Sequence, residues 1–235
     1  GEVKRIKVQA YGGGKNLYIS HPNGYTTVYM HLERYYGEIE DFVNKYQKEH
    51  HCYEFDFTFK RPTIRLKQGD TIAISGESGM AAGPHLHYEI RDTRSERPIN
   101  PLLFLDMQDT IPPYIVSIAI NSLDKLMPTS VFTPNDSTVD TINAYGNVFF
   151  SILAFDKAFN SINKNGVYKT ELFVNDNTLL FSHKIDKFSF ANYGFVDAIT
   201  NYPLFITTNK RYLSSKKLPN CNLPYDYYKD DGVLA

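Results

Sequence analysis

The sequence predicts an all-β protein made of two antiparallel units with one inserted helix. Tyr and Phe, which favour strands, number 18 and 16 among 235 residues, and Trp is absent. Short segments in which apolar and polar residues alternate recur along the chain between turn-forming segments. Only one segment, residues 38–50, has the apolar spacing of an amphipathic helix.

The composition is that of an ordinary globular protein of one to two domains. Hydrophobic residues make up 42% of the chain, and 25 basic residues nearly balance 26 acidic ones. This balance argues against nucleic-acid binding, which needs a basic surplus to neutralise phosphate. No apolar run approaches the length of a transmembrane helix. Cys52 and Cys221 are interpreted as two unrelated thiols, since a bridge between them would need an oxidising compartment.

The first part of the chain reads as short strands around a helical insertion. Residues 1–32 contain strands, a glycine turn at Gly12–Gly14 and a hairpin turn with Asn-Gly at its tip. Residues 33–63 form the insertion. Acids in the first turn and apolar residues at helical spacing predict a helix from Glu38 to about His50. Alternating aromatic residues then predict a strand that ends before Pro62.

The end of the first domain contains a glycine-rich loop between two predicted strands. The loop covers residues 76–84, and the strand after it runs from His85 to Arg91. Residues 107–113 are polar, end in two prolines and are interpreted as a linker. The first domain therefore spans residues 1–106.

Residues 114–235 are predicted to form a second β domain. Several short strands separated by turns, one of them at 175–177, indicate a β-sandwich. Its Tyr and Phe side chains are expected to form the core. His183 is expected at the surface of one of its strands.

Three histidines carry the candidate chemistry. His85 and His87 flank one residue of a predicted strand, so their side chains point to the same face and can share a metal or divide ligand and proton-transfer roles. His31 ends another strand. On spacing alone, a structural or surface role for each of the three stays open. Glu89 alternates onto the face of His87, where it could orient the ring or serve only as a solvated or cross-strand partner.

Several motifs, taken in order, resemble one family. They are NGYTTVYMHL at 23–32, KQGD at 67–70, SGESG at 75–79, GPHLHYEIR at 83–91 and NPL at 100–102. Together they resemble the lysostaphin-type zinc metallopeptidases, which cut peptide cross-links in bacterial peptidoglycan. The resemblance covers residues 1 to about 104.

This resemblance implies a fold and a set of site residues. The fold is an antiparallel lysostaphin-like domain with a duplicated hybrid motif, and an immunoglobulin-like β-sandwich follows it in the two-domain forms from Bacteroidetes-type bacteria. Zn²⁺ is held by a His-x-x-x-Asp motif near the domain start and by the second His of His-x-His, here His87. The first His of that pair, His85, and the His of the Tyr-x-His-Leu segment, His31, flank the attacking water as general base or acid.

The sequence departs from this pattern at the first two ligands. No His-x-x-x-Asp precedes the strand at Gly1, so we expect a chain that is truncated at the N-terminus. His21 has Tyr25 at the Asp position, and His50 with Glu54 lies in the insertion. We therefore expect a natural full-length zinc endopeptidase that acts on peptidoglycan peptides in the periplasm or cell envelope. The present chain alone is expected to be inactive, with weak or absent zinc binding.

Two other hypotheses stay open. In the first, the chain is a degenerate, non-catalytic module that binds or regulates cell-wall hydrolases, which fits the missing ligands. In the second, it is a structural envelope protein whose second domain contacts partner proteins. The latter hypothesis leaves the three histidines unexplained.

Overall fold

The computed structural model divides the chain into two compact units, residues 1–105 and 106–235, which are described separately. It describes residues 1–106, 110–134, 143–158, 161–175, 177–221, 223 and 226–235. Residues 107–109 of the predicted linker and residue 176 of the predicted hairpin turn lie outside the described residues.

The first unit is built on a six-stranded antiparallel sheet in the order β5-β1-β2-β3-β7-β8. A separate two-stranded sheet pairs β4 with β6. The strands of this unit are β1 Glu2–Val8, β2 Lys15–Ser20, β3 Tyr25–Met30, β4 Leu32–Tyr35, β5 Phe55–Thr58, β6 Ala73–Ser75, β7 His87–Asp92 and β8 Pro98–Ile99. A short 3₁₀ helix follows at Pro101–Leu103.

One face of the six-stranded sheet is apolar and the other is polar. The register shifts between Val3 and Arg5, so the apolar residues of β1 do not alternate strictly and yet share one face. That face forms the core together with β4 and the inserted helix. Its buried members are Val3, Ile6, Val8, Leu17, Ile19, Leu32, Tyr35, Ile39, Val43 and Ile64.

The inserted helix α1 spans Glu38–His50, as the sequence predicts. It begins after Gly37, and His51 caps its C-terminal end in the left-handed conformation that closes many helices. Ile39 and Val43 are buried in the core. Phe42 lies 5.0 Å from the Phe57 ring of β5, so the aromatic strand after the helix packs back onto it.

The second unit contains two antiparallel sheets within the described residues. The larger sheet has the order β10-β9-β11-β14, with β16 also paired to β11, and the smaller has the order β12-β13-β15. The strands are β9 Tyr114–Ser122, β10 Ser130–Phe132, β11 Val148–Phe155, β12 Lys169–Val174, β13 Thr178–Lys184, β14 Leu213–Ser214, β15 Asp226–Tyr228 and β16 Val233–Leu234. A helix α2, Tyr202–Thr208, and 3₁₀ turns at Phe190–Phe195 and Asp230–Gly232 were not predicted.

The larger sheet of this unit has two different faces. On one face, Ala119 and Leu153 pack against Tyr212, and Ser151 accepts hydrogen bonds from Asn121 and Asn201. The other face borders a mainly apolar cleft of about 420 Å³, walled on its far side by the smaller sheet. Its lining includes Ile118, Ile120, Phe150, Ile152, Leu172 and Phe181.

The all-β fold class is confirmed, but the expectation for His183 is wrong. His183 lies on β13, yet only 4% of it is exposed, because its Nδ1 bonds Asp226 on the neighbouring strand β15. Cys52 and Cys221 are free thiols, in agreement with the sequence interpretation. Within the described residues, the helices are too short or too polar to cross a membrane.

Candidate active site

The fold brings His31, His85 and His87 together at one end of the six-stranded sheet. The ring centres of His31 and His85 are 4.7 Å apart, and those of His31 and His87 are 5.9 Å apart. His31 is separated from the other two by more than fifty positions in the chain, so this cluster is a product of the fold. It contains all three histidines that the motifs select.

The strand ends explain how these rings meet. His31 follows β3 directly, and the last residue of β3, Met30, pairs with His87 at the start of β7. His85 precedes the strand and forms an isolated bridge with Gly76, so β7 begins two residues later than predicted. His31 has a φ of 60°, a strained conformation for a residue with a side chain. Its carbonyl accepts the Gly76 N–H, and this bond connects the two segments.

A glycine turn packs against the glycine-rich loop beside His31. A Cβ on Gly14 would lie 2.3 Å from the Ser78 carbonyl carbon, and one on Gly79 would lie 2.4 Å from the Gly14 nitrogen. Only glycine permits this approach. The Ser78 hydroxyl then accepts the Lys15 N–H, and the His31 N–H donates to the Gly13 carbonyl. The two glycine segments therefore hold the backbone around His31.

Each ring has one nitrogen fixed by a hydrogen bond. Nδ1 of His31 lies 2.9 Å from the Ser78 carbonyl, and Nδ1 of His85 lies 2.9 Å from the Gly83 carbonyl. Because a carbonyl can only accept, both Nδ1 atoms carry a proton, and Nε2 holds the lone pair when the ring is neutral. In His87 the arrangement is reversed, since Nε2 lies 2.9 Å from a carboxylate oxygen of Glu89. Nδ1 is therefore the basic nitrogen of His87 when the ring is neutral.

Glu89 is held between His87 and Arg91 on the polar face of β7. The Arg91 Nε donates to the second Glu89 oxygen at 2.6 Å. Burial by itself would raise the pKa of Glu89, but the hydrogen bonds and charges of Arg91 and His87 outweigh it and lower the pKa below its usual value. Glu89 is thus an ionised acceptor. Of the two roles that the sequence leaves open for Glu89, orienting His87 is the one that matches the observed contact.

The surroundings of the three rings differ in exposure. His31 is 7% exposed, so its ring is enclosed by the fold, whereas the His87 side chain is 43% exposed. His85 is also exposed. The site therefore consists of one enclosed imidazole beside two that face solvent, an arrangement in which a substrate can reach the rings.

The other candidate histidines of this unit are occupied elsewhere. His21 bonds the Thr27 hydroxyl at 2.8 Å, and burial lowers its pKa. His50 donates to the Tyr46 carbonyl within its own helix, while Glu54 accepts the Ala10 N–H. His50 and Glu54 therefore have separate structural partners and do not act as a substitute for the missing motif.

Sequence reasoning missed the role of Ser78. Because it lacks a nucleophile motif, the sequence gives no reason to select it. Its backbone carbonyl fixes the His31 ring, and its hydroxyl binds the backbone at Lys15. A carbonyl has no signature in the sequence, although the SGESG segment around it marked the loop as special.

A metal ion fits this site only in part. Nδ1 of His87 has the donor chemistry of a zinc ligand, with the opposite nitrogen held by a carboxylate. Across the described residues, however, no group of three or more His, Cys, Asp or Glu side chains is arranged to hold a metal ion. A tight zinc site needs such a set. These residues therefore do not complete one.

The chain is similar to metallopeptidases over part of its length. No family model matches it. It is 31% identical over 102 residues to an uncharacterized metalloprotease of Haemophilus influenzae, which covers 43% of this chain and 16% of the relative. It is 34% identical over 76 residues to the peptidoglycan DD-endopeptidase ShyC of Vibrio cholerae, which covers 32% of this chain and 12% of that one. The chain thus spans less than a fifth of the length of either relative.

A solved structure also matches part of the chain. It is a mutant catalytic domain of the prophage-encoded M23 protein EnpA from Enterococcus faecalis, with 20% identity and a TM-score of 0.31. The match covers 44% of this chain and 63% of that one. The matching part of the chain is thus similar in sequence to proteins named as a metalloprotease and a peptidoglycan DD-endopeptidase.

Proposed function

We propose that the first unit provides the proton-transferring part of a peptidase site that acts on peptides of bacterial peptidoglycan. The observation that carries this proposal is the cluster of His31, His85 and His87, each with one ring nitrogen fixed. Relatives named as metalloprotease and peptidoglycan endopeptidase support the reaction and the substrate class. Since peptidoglycan lies outside the cytoplasm, the proposal includes export to the periplasm or cell envelope.

The proposed roles follow from the ring nitrogens. Hydrolysis of a peptide bond requires a base for the attacking water and an acid for the leaving amine. His31 and His85 each present Nε2 with a lone pair, and imidazole takes up and releases protons near neutral pH. We assign these two residues to proton transfer and to stabilising the tetrahedral intermediate. His31 is the more enclosed of the pair, because it is 7% exposed whereas His85 is open to solvent.

His87 is proposed as one zinc ligand through Nδ1. Because the described residues lack a complete set, the proposal requires a His-x-x-x-Asp pair supplied from outside residues 1–235. Without those ligands, we expect weak or absent zinc binding and no significant peptidase activity from this chain.

The test compares residues 1–235 with a longer version of the natural protein that includes its upstream coding sequence. Zinc content and the release of fragments from peptidoglycan-derived peptides are measured for both. We expect stoichiometric zinc and cleavage only in the longer version. Robust zinc-dependent turnover by residues 1–235 would overturn the need for further ligands. An upstream sequence without His-x-x-x-Asp would overturn the enzymatic proposal.

Substitutions in the longer version test the individual roles. His31→Ala and His85→Ala are each expected to lower kcat at least about 100-fold, the usual contribution of a general acid or base. His50→Ala is the matched control, since this histidine is exposed on the helix and bonds only its own turn within the described residues. Equal activity of all three variants would contradict the proposed role of His31 and His85 in proton transfer. Circular dichroism confirms that each variant is folded.

A second candidate function is a non-catalytic module that binds or regulates cell-wall hydrolases. The incomplete ligand set within the described residues favours it. In this case the longer version would bind no zinc and cleave no peptide, but a pull-down from solution with purified peptidoglycan would retain it. A version without the second unit would then test whether that unit contacts envelope proteins, as the structural hypothesis holds.

A further inference from the structure

The residues that hold His87 continue beyond Glu89 across the polar face of the sheet. His87, Glu89 and Arg91 occupy alternate positions on β7 and therefore share a face. Each oxygen of Glu89 receives a donor, from His87 at 2.9 Å and from Arg91 at 2.6 Å. The side chains of Glu89 and Arg91 are only 14% and 10% exposed. The carboxylate is thus fixed by a buried guanidinium.

Tyr18, on β2 of the same sheet, contacts the guanidinium of Arg91. The Arg91 guanidinium carbon lies 5.6 Å from the centre of the Tyr18 ring, within the range of a cation–π contact. Arg5 lies 5.0 Å from the same ring and forms its own pair with Asp56. Tyr18 is 9% exposed. One buried ring therefore contacts two guanidinium groups, each of which has a carboxylate partner.

We propose that Glu89, Arg91 and Tyr18 are positioning residues that fix His87 with its proton on Nε2 and its basic nitrogen at Nδ1. The Tyr18 ring orients Arg91, Arg91 orients the Glu89 carboxylate, and Glu89 accepts the His87 proton donor. The fixation follows from the contacts alone. Its use in catalysis rests on the proposed function, in which His87 acts through Nδ1.

The fixation also gives the three rings different roles. His31 and His85 are held by neutral carbonyls and present Nε2, whereas His87 is held by an anion and presents Nδ1. A carboxylate makes a stronger hydrogen bond than a carbonyl. His87 is therefore the ring that is oriented by a charged partner, with Nδ1 as its free nitrogen.

NMR of the imidazole protons in residues 1–235 tests the proposal without metal or activity. We expect a His87 Nε2–H signal whose exchange with water is slow. In Glu89→Ala this exchange should accelerate at least about tenfold, because a hydrogen bond to a charged group is worth that factor or more. Glu89→Gln should restore part of the protection, since its amide oxygen can accept the same bond. Arg94→Ala, at an exposed position just beyond β7, should change nothing.

The same signal tests the rest of the chain of contacts. Tyr18→Phe keeps the ring and should leave the exchange rate unchanged, whereas Tyr18→Leu removes the ring and should increase it. Arg91→Lys keeps the charge but loses the planar donor, so it should also increase the rate. A His87 proton found on Nδ1, or an exchange rate indifferent to Glu89→Ala, would overturn the proposal.

These outcomes separate the inference from the proposed function. A protected His87 Nε2–H in a protein that cleaves no peptide in its longer version would retain the positioning and reject the function. Cleavage by the longer version together with an unprotected His87 Nε2–H would retain the function and reject the positioning.

Discussion

Each unit contains a histidine hydrogen-bonded to a carboxylate, but the two pairs lie in opposite surroundings. In the first unit, His87 and Glu89 have side chains that are 43% and 14% exposed. In the second unit, the corresponding values for His183 and Asp226 are 6% and 1%. His87 and Glu89 share one strand, whereas His183 and Asp226 are directly opposed on β13 and β15.

The contrast shows that a histidine–carboxylate pair is not by itself a sign of chemistry. His87 stands beside two other imidazoles and faces solvent, so its second nitrogen can reach a substrate or ligand. His183 is enclosed, and its bond to Asp226 connects two strands of a three-stranded sheet. We therefore expect the first pair to matter for reactivity and the second for stability.

The largest expected effect is on the buried pair. Asp226→Ala should lower the free energy of unfolding of the second unit by about 4 kcal/mol, because removing one partner leaves a buried polar group uncompensated. Urea denaturation followed by circular dichroism measures this change. The hydroxyl of Tyr228, 3.4 Å from the second Asp226 oxygen, would lose that hydrogen bond as well.

A matched pair on the surface of the same unit provides the control. Arg211 and Asp197 form an ion pair with side chains 54% and 61% exposed. Asp197→Ala should change the free energy of unfolding by less than about 1 kcal/mol. If Asp226→Ala costs no more than Asp197→Ala, the distinction between a stabilising pair and a reactive pair fails.

A smaller effect is expected at Gly14. This glycine supports the backbone around His31, the histidine that lies beside His87. Gly14→Ala should lower the free energy of unfolding by about 3 kcal/mol, since φ is +65° and the new Cβ would meet the Ser78 backbone. Gly24→Ala is the control, because φ is also positive there but no atom lies within 4 Å. It should cost about 1 kcal/mol. Equal losses in urea denaturation would mean that the close approach to Ser78 contributes nothing.

Sequence reasoning predicted most of the first unit because its signals are local. The helix at Glu38–His50 has acids in its first turn and apolar residues at helical spacing, and tertiary packing agrees with both. The glycines of the turn and loop mark a close backbone approach, which the contact of Gly14 with Ser78 shows. His31, His85 and His87 were selected through spaced motifs, and the fold places them together.

What sequence reasoning missed depends on distant partners. The burial of His183 could not be predicted, because its partner Asp226 is 43 positions away and neither residue lies in a motif. Helix α2 was missed because it is only seven residues long, and its short run of apolar and β-branched residues does not distinguish a helix from a strand. The structure shows Asn201 capping it by accepting the Leu204 N–H. Arg91 and Tyr18 also come together only through strand pairing.

The smallest expected effect concerns the ion pair of Arg5 and Asp56, on the polar face of the first unit. Their side chains are 27% and 40% exposed, so solvent screens their interaction. The Arg5 hydrogen bond lowers the pKa of Asp56 below its usual value, although burial opposes the shift. A depressed pKa means that the pair stabilises the fold fully above the unfolded-state pKa of about 3.9 and loses this contribution as pH falls through the lower folded value.

Asp56→Asn tests the size and sign of this contribution. At pH 7 it should lower the free energy of unfolding by about 0.5 kcal/mol, and 1 M salt should reduce the difference. The wild-type and variant values should converge as the pH falls below about 4, because Asp56 is then progressively protonated in both states. A difference that persists in acid would mean that Asp56 acts through packing rather than charge. If Asp56→Asn lowered the free energy of unfolding at pH 7 as much as Asp226→Ala, burial would not explain the difference between the two pairs.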